Sequence, residues 1–158
     1  MAKEIHKDFF IRYHSAIFKA LALDALKINV KIGNIIATEW LDGLDKRPDT
    51  IEELRSSLEA FLNNELRFSR DPMIAIHNDG SVEVVIKRCH ICDANELLRG
   101  KAEDVFPICP ISQVVKSAFS RGLKGYNVNL YDPTKNGKVG ECILNLKLFE
   151  KKARATQK

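Results

Sequence analysis

The sequence predicts an α+β domain in which a helical N-terminal half packs on an antiparallel sheet built by the C-terminal half. Three observations carry this. Apolar residues recur at three-to-four spacing as far as Leu62. They alternate from Met73 onward, and one further helical pattern, Pro110–Arg121, separates two pairs of alternating runs. A chain of 158 residues, 45% of them hydrophobic, suffices for a single ligand-binding domain over residues 1–150. A domain of that size buries roughly 70% of its unfolded surface. The last stretch, KKARATQK (151–158), reads as a basic flexible tail.

From Asp8 to about Lys27, Phe9, Phe10, Tyr13, Ile17, Ala20 and Leu21 predict a first helix. Asn29 reads as a polar break, after which Ile32, Ile36 and Trp40 predict a second helix running to Leu41. Gly33 inside that helix costs about 1 kcal/mol relative to alanine, so another element is expected to cross closely there. Thr50 and Glu53 predict a capping box ahead of the stripe Ile51, Leu54, Leu58, Phe61 and Leu62, a third helix.

Past Pro72 the period changes. MIAIH and VEVVIKR flank Asn78-Asp79-Gly80 and predict a hairpin. YNVNLYD and ECILNLKLFE, with turn chemistry in PTKNGKVG, predict another. Between them Asp93 and Glu96 predict a short helix ending at Gly100. Pro110 opens a longer one, with Ile111, Val114, Val115, Ala118 and Phe119 at helical spacing and Gly122 as its stop.

Basic residues number 25 against 21 acidic ones, for a net charge of +4, and both signs are spread along the chain. The basic tail stands alone, without a helix-turn-helix, zinc finger or aromatic-plus-basic stripe, so nucleic acid is not the expected partner. No run of eighteen apolar residues predicts a membrane span. MAKEIHKDFF lacks the apolar core of a signal peptide. The expected compartment is the cytoplasm, where cysteines point to metal or redox chemistry rather than to disulfides.

Those cysteines are Cys89, Cys92, Cys109 and Cys142, spaced C-x2-C, then sixteen residues, then thirty-two. Cys92 precedes Asp93 and Cys109 precedes Pro110, so both fall at expected helix N-termini, where the partial positive charge favours thiolate. Alternation puts Cys142 on one face with Leu144, Leu146 and Leu148, pointing inward. If the four converge they form a tetrahedral thiolate site suited to zinc, and an iron–sulfur cluster takes the same ligands. Four buried cysteines with no ligand are the plain alternative. His90 is expected at the surface. Phe10, Tyr13, Ile36, Trp40 and Phe61 are expected to line an apolar pocket, although such stripes more often fill a core.

The run VKIGNIIATEWLDGL, then TIEELRSSLEAFLNNEL, a hairpin leading into a cysteine, and CPISQVVKSAFSRGLKGYNVNLYD followed by GKVGECILNLKL resembles the vinyl-reductase-type hydrocarbon-binding domain over residues 20–149. The resemblance implies the fold shared by vesicle-tethering TRAPP subunits and related to haem nitric-oxide-binding domains. It also implies a small hydrophobic ligand held between helices and sheet, a homodimer, and a regulatory rather than catalytic role. Sensor members of that family hold zinc, and their pattern maps onto Cys109 and Cys142. The glutamate and middle cysteine expected near Asn129 and Pro133 are missing, and Cys89 and Cys92 are the implied replacements. The C-terminal half is also similar to aminothiazoline-carboxylate hydrolase-like proteins. That similarity implies a thiol-dependent hydrolase with Cys109 as nucleophile, although no partnered base is visible. The expectation is a soluble ligand-binding or sensory domain with a cysteine-ligated metal, zinc ahead of iron–sulfur.

Overall fold

The structure, a computed structural model, describes residues 7–21, 24–91, 109–123, 125–136 and 141–150. Its helices are α1 (Lys7–Leu21), α2 (Asp24–Asp42), α3 (Ile51–Phe61, continued by a π-helical turn over Leu62–Leu66) and α4 (Pro110–Gly122). The strands are β1 (Arg70–Ile76), β2 (Ser81–Lys87), β3 (Tyr126–Asn136) and β4 (Glu141–Glu150). Cys92, the helix expected over 93–100 and the tail 151–158 lie outside the described residues. Among those residues no helix is long and apolar enough to cross a membrane.

Local chemistry sets most boundaries. Thr50 Oγ1 accepts from the Glu53 N–H at 3.1 Å, while Glu53 Oε2 accepts from the Asp49 N–H at 2.8 Å. The box therefore closes one residue upstream of the expected partner, satisfying one donor of the first turn and one just ahead of the N-cap. The first hairpin turns at Asn78–Gly80, where Gly80 has φ +80 and its N–H donates to the His77 carbonyl at 2.9 Å. Asp79 accepts from the Ser81 hydroxyl at 2.5 Å, pairs with Lys147 on β4 at 2.9 Å and accepts from the Ser81 N–H at 2.9 Å. These contacts hold the Asp79 carboxyl well below the usual carboxylate range.

Two boundaries differ from expectation. The first interhelical break is not at Asn29. α2 begins at Asp24, and Asn29 lies buried inside it. Burial overrides a weak local preference here, because Asn is only mildly unfavourable in a helix. β3 continues past Pro133 to Asn136, its register against β4 shifting between Tyr131 and Lys135. A bulge lets a strand pass a residue that cannot donate to the ladder, so part of the expected turn is strand.

All strand pairs are antiparallel, in the order β1-β2-β4-β3. The β3–β4 hairpin docks beside β2, with Val84 opposite Leu144 and Ile86 opposite Cys142. Val82, Val84, Ile86, Leu144 and Leu146 bury one face against Leu54, Leu58, Val115 and Phe119. Each such side chain contributes about 1.5–3 kcal/mol. α4 packs against both α2 and β3. It is consequently buried nearly all round, including Ser112, Gln113 and Ser117. Two of these polar groups have partners: Ser112 Oγ donates to the Cys109 carbonyl at 2.7 Å, and Ser117 Oγ to Asn34 Oδ1 at 2.5 Å.

Candidate functional site

The crossing of α2 on α4 is unusually close. A methyl group on Gly33 would lie 2.5 Å from Gln113 Cβ and 2.7 Å from the Gln113 carbonyl carbon. The glycine is there to let the two helices touch, as its position in a helix predicts. On one side of this crossing a cavity of about 310 Å³ remains, partly open to solvent. Its walls come from α1, α2, the segment after α3, the segment after β2 and the start of α4. Isoleucines dominate them, at 17, 28, 32, 36, 91 and 111. α1 contacts α2 only sparsely, Phe18 and Ala25 forming a small satellite of the main core. The cavity lies where α1 does not close onto α2 and α4.

Two polar residues line this apolar wall, His14 and Asn29. His14 is half-buried with its ring on Phe18, centroids 4.5 Å apart. Asn29 is 5% exposed, and its Nδ2 has no hydrogen-bond partner among the described residues. A bare buried donor costs about 1–3 kcal/mol.

Of the residues expected to line a pocket, Ile36 does so. Trp40 and Phe61 instead stack on each other at 5.0 Å in the main core, 7% and 6% exposed. Tyr13 is 56% exposed and stacks on Phe9 at the surface. Phe10 falls in α1, its side chain outside those described. The aromatic stripes met one another rather than the cavity, because large flat rings gain most where they are covered on both faces. The lining that was missed is aliphatic. Its signal was in the sequence: Ile28, Ile32 and Ile36 recur at spacing four, beside the buried row Ala25, Asn29, Gly33 and Ala37.

The cysteines were expected to converge. Cys89, Cys109 and Cys142 are all buried, and none of the three is in a disulfide. Arg88 takes a positive φ of 51 and turns the chain from the exposed end of β2 so that Cys89 enters the core. Cys142 points inward with Leu144, Leu146 and Leu148, as alternation required. Yet among the described residues no three His, Cys, Asp or Glu side chains gather as a metal site. Cys89 is near enough to act electrostatically on Cys109, and that pair falls short of a tetrahedral set.

Cys109 caps α4 but closes no side-chain capping bond. Burial first, then the neighbouring Cys89, push its thiol up to about 12, while the backbone N–H groups of Ser112 and Ile111 act the other way. This corrects the expectation of a thiolate at the helix N-terminus. At 3% exposure desolvation outweighs the helix dipole. A neutral buried thiol is a poor nucleophile, which weakens the hydrolase reading. His90, expected at the surface, is half-buried, and its backbone N–H donates to the Phe68 carbonyl at 3.3 Å.

No protein-family model and no curated protein matches the chain. Solved structures do. Trafficking protein particle complex subunit 3 from Naegleria fowleri, covalently bound to palmitic acid, is 12% identical with a TM-score of 0.56, over 91% of this chain and 95% of that one. A point mutant of T. tengcongensis H-NOX is 12% identical with a TM-score of 0.53, over 94% of this chain and 76% of that one. A Cs H-NOX mutant gives 12% and 0.53, over 94% and 75%. The architecture is therefore the mixed helix-and-antiparallel-sheet fold of these proteins, as the sequence predicted.

Proposed function

We propose that this domain binds a small apolar molecule in the cavity between α1, α2 and α4 and serves as a ligand-binding or sensory module of the hydrocarbon-binding type. The observation that carries the reading is a cavity of about 310 Å³ whose walls are apolar except for His14 and Asn29. Proteins rarely leave such a volume unfilled without a use for it. The palmitic acid held by the TRAPP subunit of like fold supports the same reading.

A homodimer fits this role. Phe9 and Tyr13 on α1 and Leu26, Val30 and Ile35 on α2 are exposed apolar side chains on helices that wall the cavity. Paired across a two-fold axis they would be covered, and a ligand that repositions α1 would change that contact.

The experiment is a thermal-shift screen with C6–C12 alkanes, ketones, alcohols and aromatic hydrocarbons. A bound compound at about 100 times its Kd adds about 2.7 kcal/mol, raising Tm by roughly 5–10 °C. Ile28→Trp, which fills the cavity, abolishes the shift. A flat response across the set would sink the proposal.

A metal held by Cys89, Cys92 and Cys109 is a second reading, supported by the nearness of Cys89 to Cys109. Zinc would then tie the end of β2 to α4, and an iron–sulfur cluster is the alternative occupant. Elemental analysis of protein purified without chelator tests it. Less than about 0.2 equivalents of zinc or iron excludes a resident metal.

A further inference from the structure

We infer that the occupant of this cavity is amphipathic: an apolar chain or ring bearing one hydrogen-bond-acceptor oxygen of carbonyl type, which accepts from Asn29 Nδ2. The inference rests on the reading of the cavity as a ligand site and names the chemistry that site selects.

Asn29 is the reason. It stands on the buried face of α2 between Ala25 and Gly33, where its neighbours along the face are small and apolar. Instead the chain keeps an amide there, nine-tenths buried, lining the cavity, with its Nδ2 unpartnered among the described residues. Buried donors in native proteins are almost always satisfied, so an unsatisfied one at a cavity wall marks where an acceptor belongs. A pure hydrocarbon would fill the cavity and leave that donor bare. A molecule with a carbonyl at one end satisfies it and gains a fixed orientation, the usual division of labour in a ligand site.

The volume bounds the size. About 150 Å³ accommodates one benzene, so about 310 Å³ admits roughly ten to twelve heavy atoms.

Two probes of equal heavy-atom number separate the alternatives, 2-nonanone and n-decane, with binding measured by headspace gas chromatography. The quantity read is the ratio of association constants, ketone over alkane. It should fall about tenfold from the native protein to Asn29→Leu and to Asn29→Ala. Far-UV circular dichroism confirms that the variants fold. On native protein alone, the Asn29 side-chain amide protons should move downfield in NMR spectra with the ketone and not with the alkane. An unchanged ratio, or an amide indifferent to the ketone while both probes bind, overturns the Asn29 anchor and leaves the cavity reading standing. Failure of both probes to bind the native protein overturns both.

Discussion

Replacing Gly33 by alanine adds one methyl group at the point where α2 and α4 touch. The new carbon would sit 2.5 Å from Gln113 Cβ, 2.7 Å from the Gln113 carbonyl carbon and 2.9 Å from the Val114 nitrogen. Ordinary contact needs about 3.5 Å, so the helices must part by about 1 Å. Two of the three atoms are backbone and cannot rotate away. Overpacking of this kind costs about 1–3 kcal/mol, and alanine returns up to about 1 kcal/mol of helix propensity. Taking the upper end of the cost, the net loss is about 2 kcal/mol, a fall in Tm of roughly 4–8 °C. Gly122→Ala is the internal comparison. Its methyl group meets only side-chain ends, Leu54 Cδ1 at 2.7 Å, Leu54 Cδ2 at 3.2 Å and Leu41 Cδ2 at 3.4 Å, which can turn aside where backbone cannot, so it should cost less than Gly33→Ala. Urea denaturation of both variants, with unchanged m-values, measures the difference. If Gly33→Ala is as stable as the native protein, the helices do not cross at this residue and the cavity beside the crossing is misplaced.

Two other outcomes follow from the same geometry. Because the Cys109 thiol titrates near 12 in the folded chain and near 8.5 unfolded, its contribution is fully present below about pH 8.5 and is lost as pH rises from there towards 12. The slope approaches 1.4 kcal/mol per pH unit at most, and Cys109→Ala should remove it; the reverse sign, stability falling on acidification through Cys109, would mean a metal-bound thiolate. Trp40→Ala should cost about 3–5 kcal/mol by unstacking Phe61 and yet leave ligand affinity unchanged at temperatures where the variant is folded; lost affinity would return Trp40 to the pocket wall.

The helices, the two hairpins and the inward-facing Cys142 were legible in the sequence because each rests on local periodicity or turn chemistry. Gly33 was legible for the same reason, since an interior helix glycine has few explanations. The site was less so. Asn29 read as a helix break because local propensity was the only force visible, whereas the structure buries it by packing α2 against α4. Trp40 and Phe61 carried the strongest apolar signal and went to the core. Periodicity says which side chains turn inward, not which of them meet a neighbour and which meet a void. Whether the cysteines meet was not legible for a related reason. Spacing along the chain fixes no distance between elements, and a helix N-terminus lowers a thiol pKa only where water still reaches it.

The central claim is that six isoleucines, three on α2 and three from elsewhere in the chain, wall one ligand cavity. Selective ¹³C labelling of isoleucine δ1-methyl groups, followed during titration with 2-nonanone, tests it directly. Ile17, Ile28, Ile32, Ile36, Ile91 and Ile111 should shift together along one saturating curve. Ile74 and Ile86 on the sheet should stay still. Shifts confined to the sheet, or none at a concentration where the six should be saturated, would contradict the account.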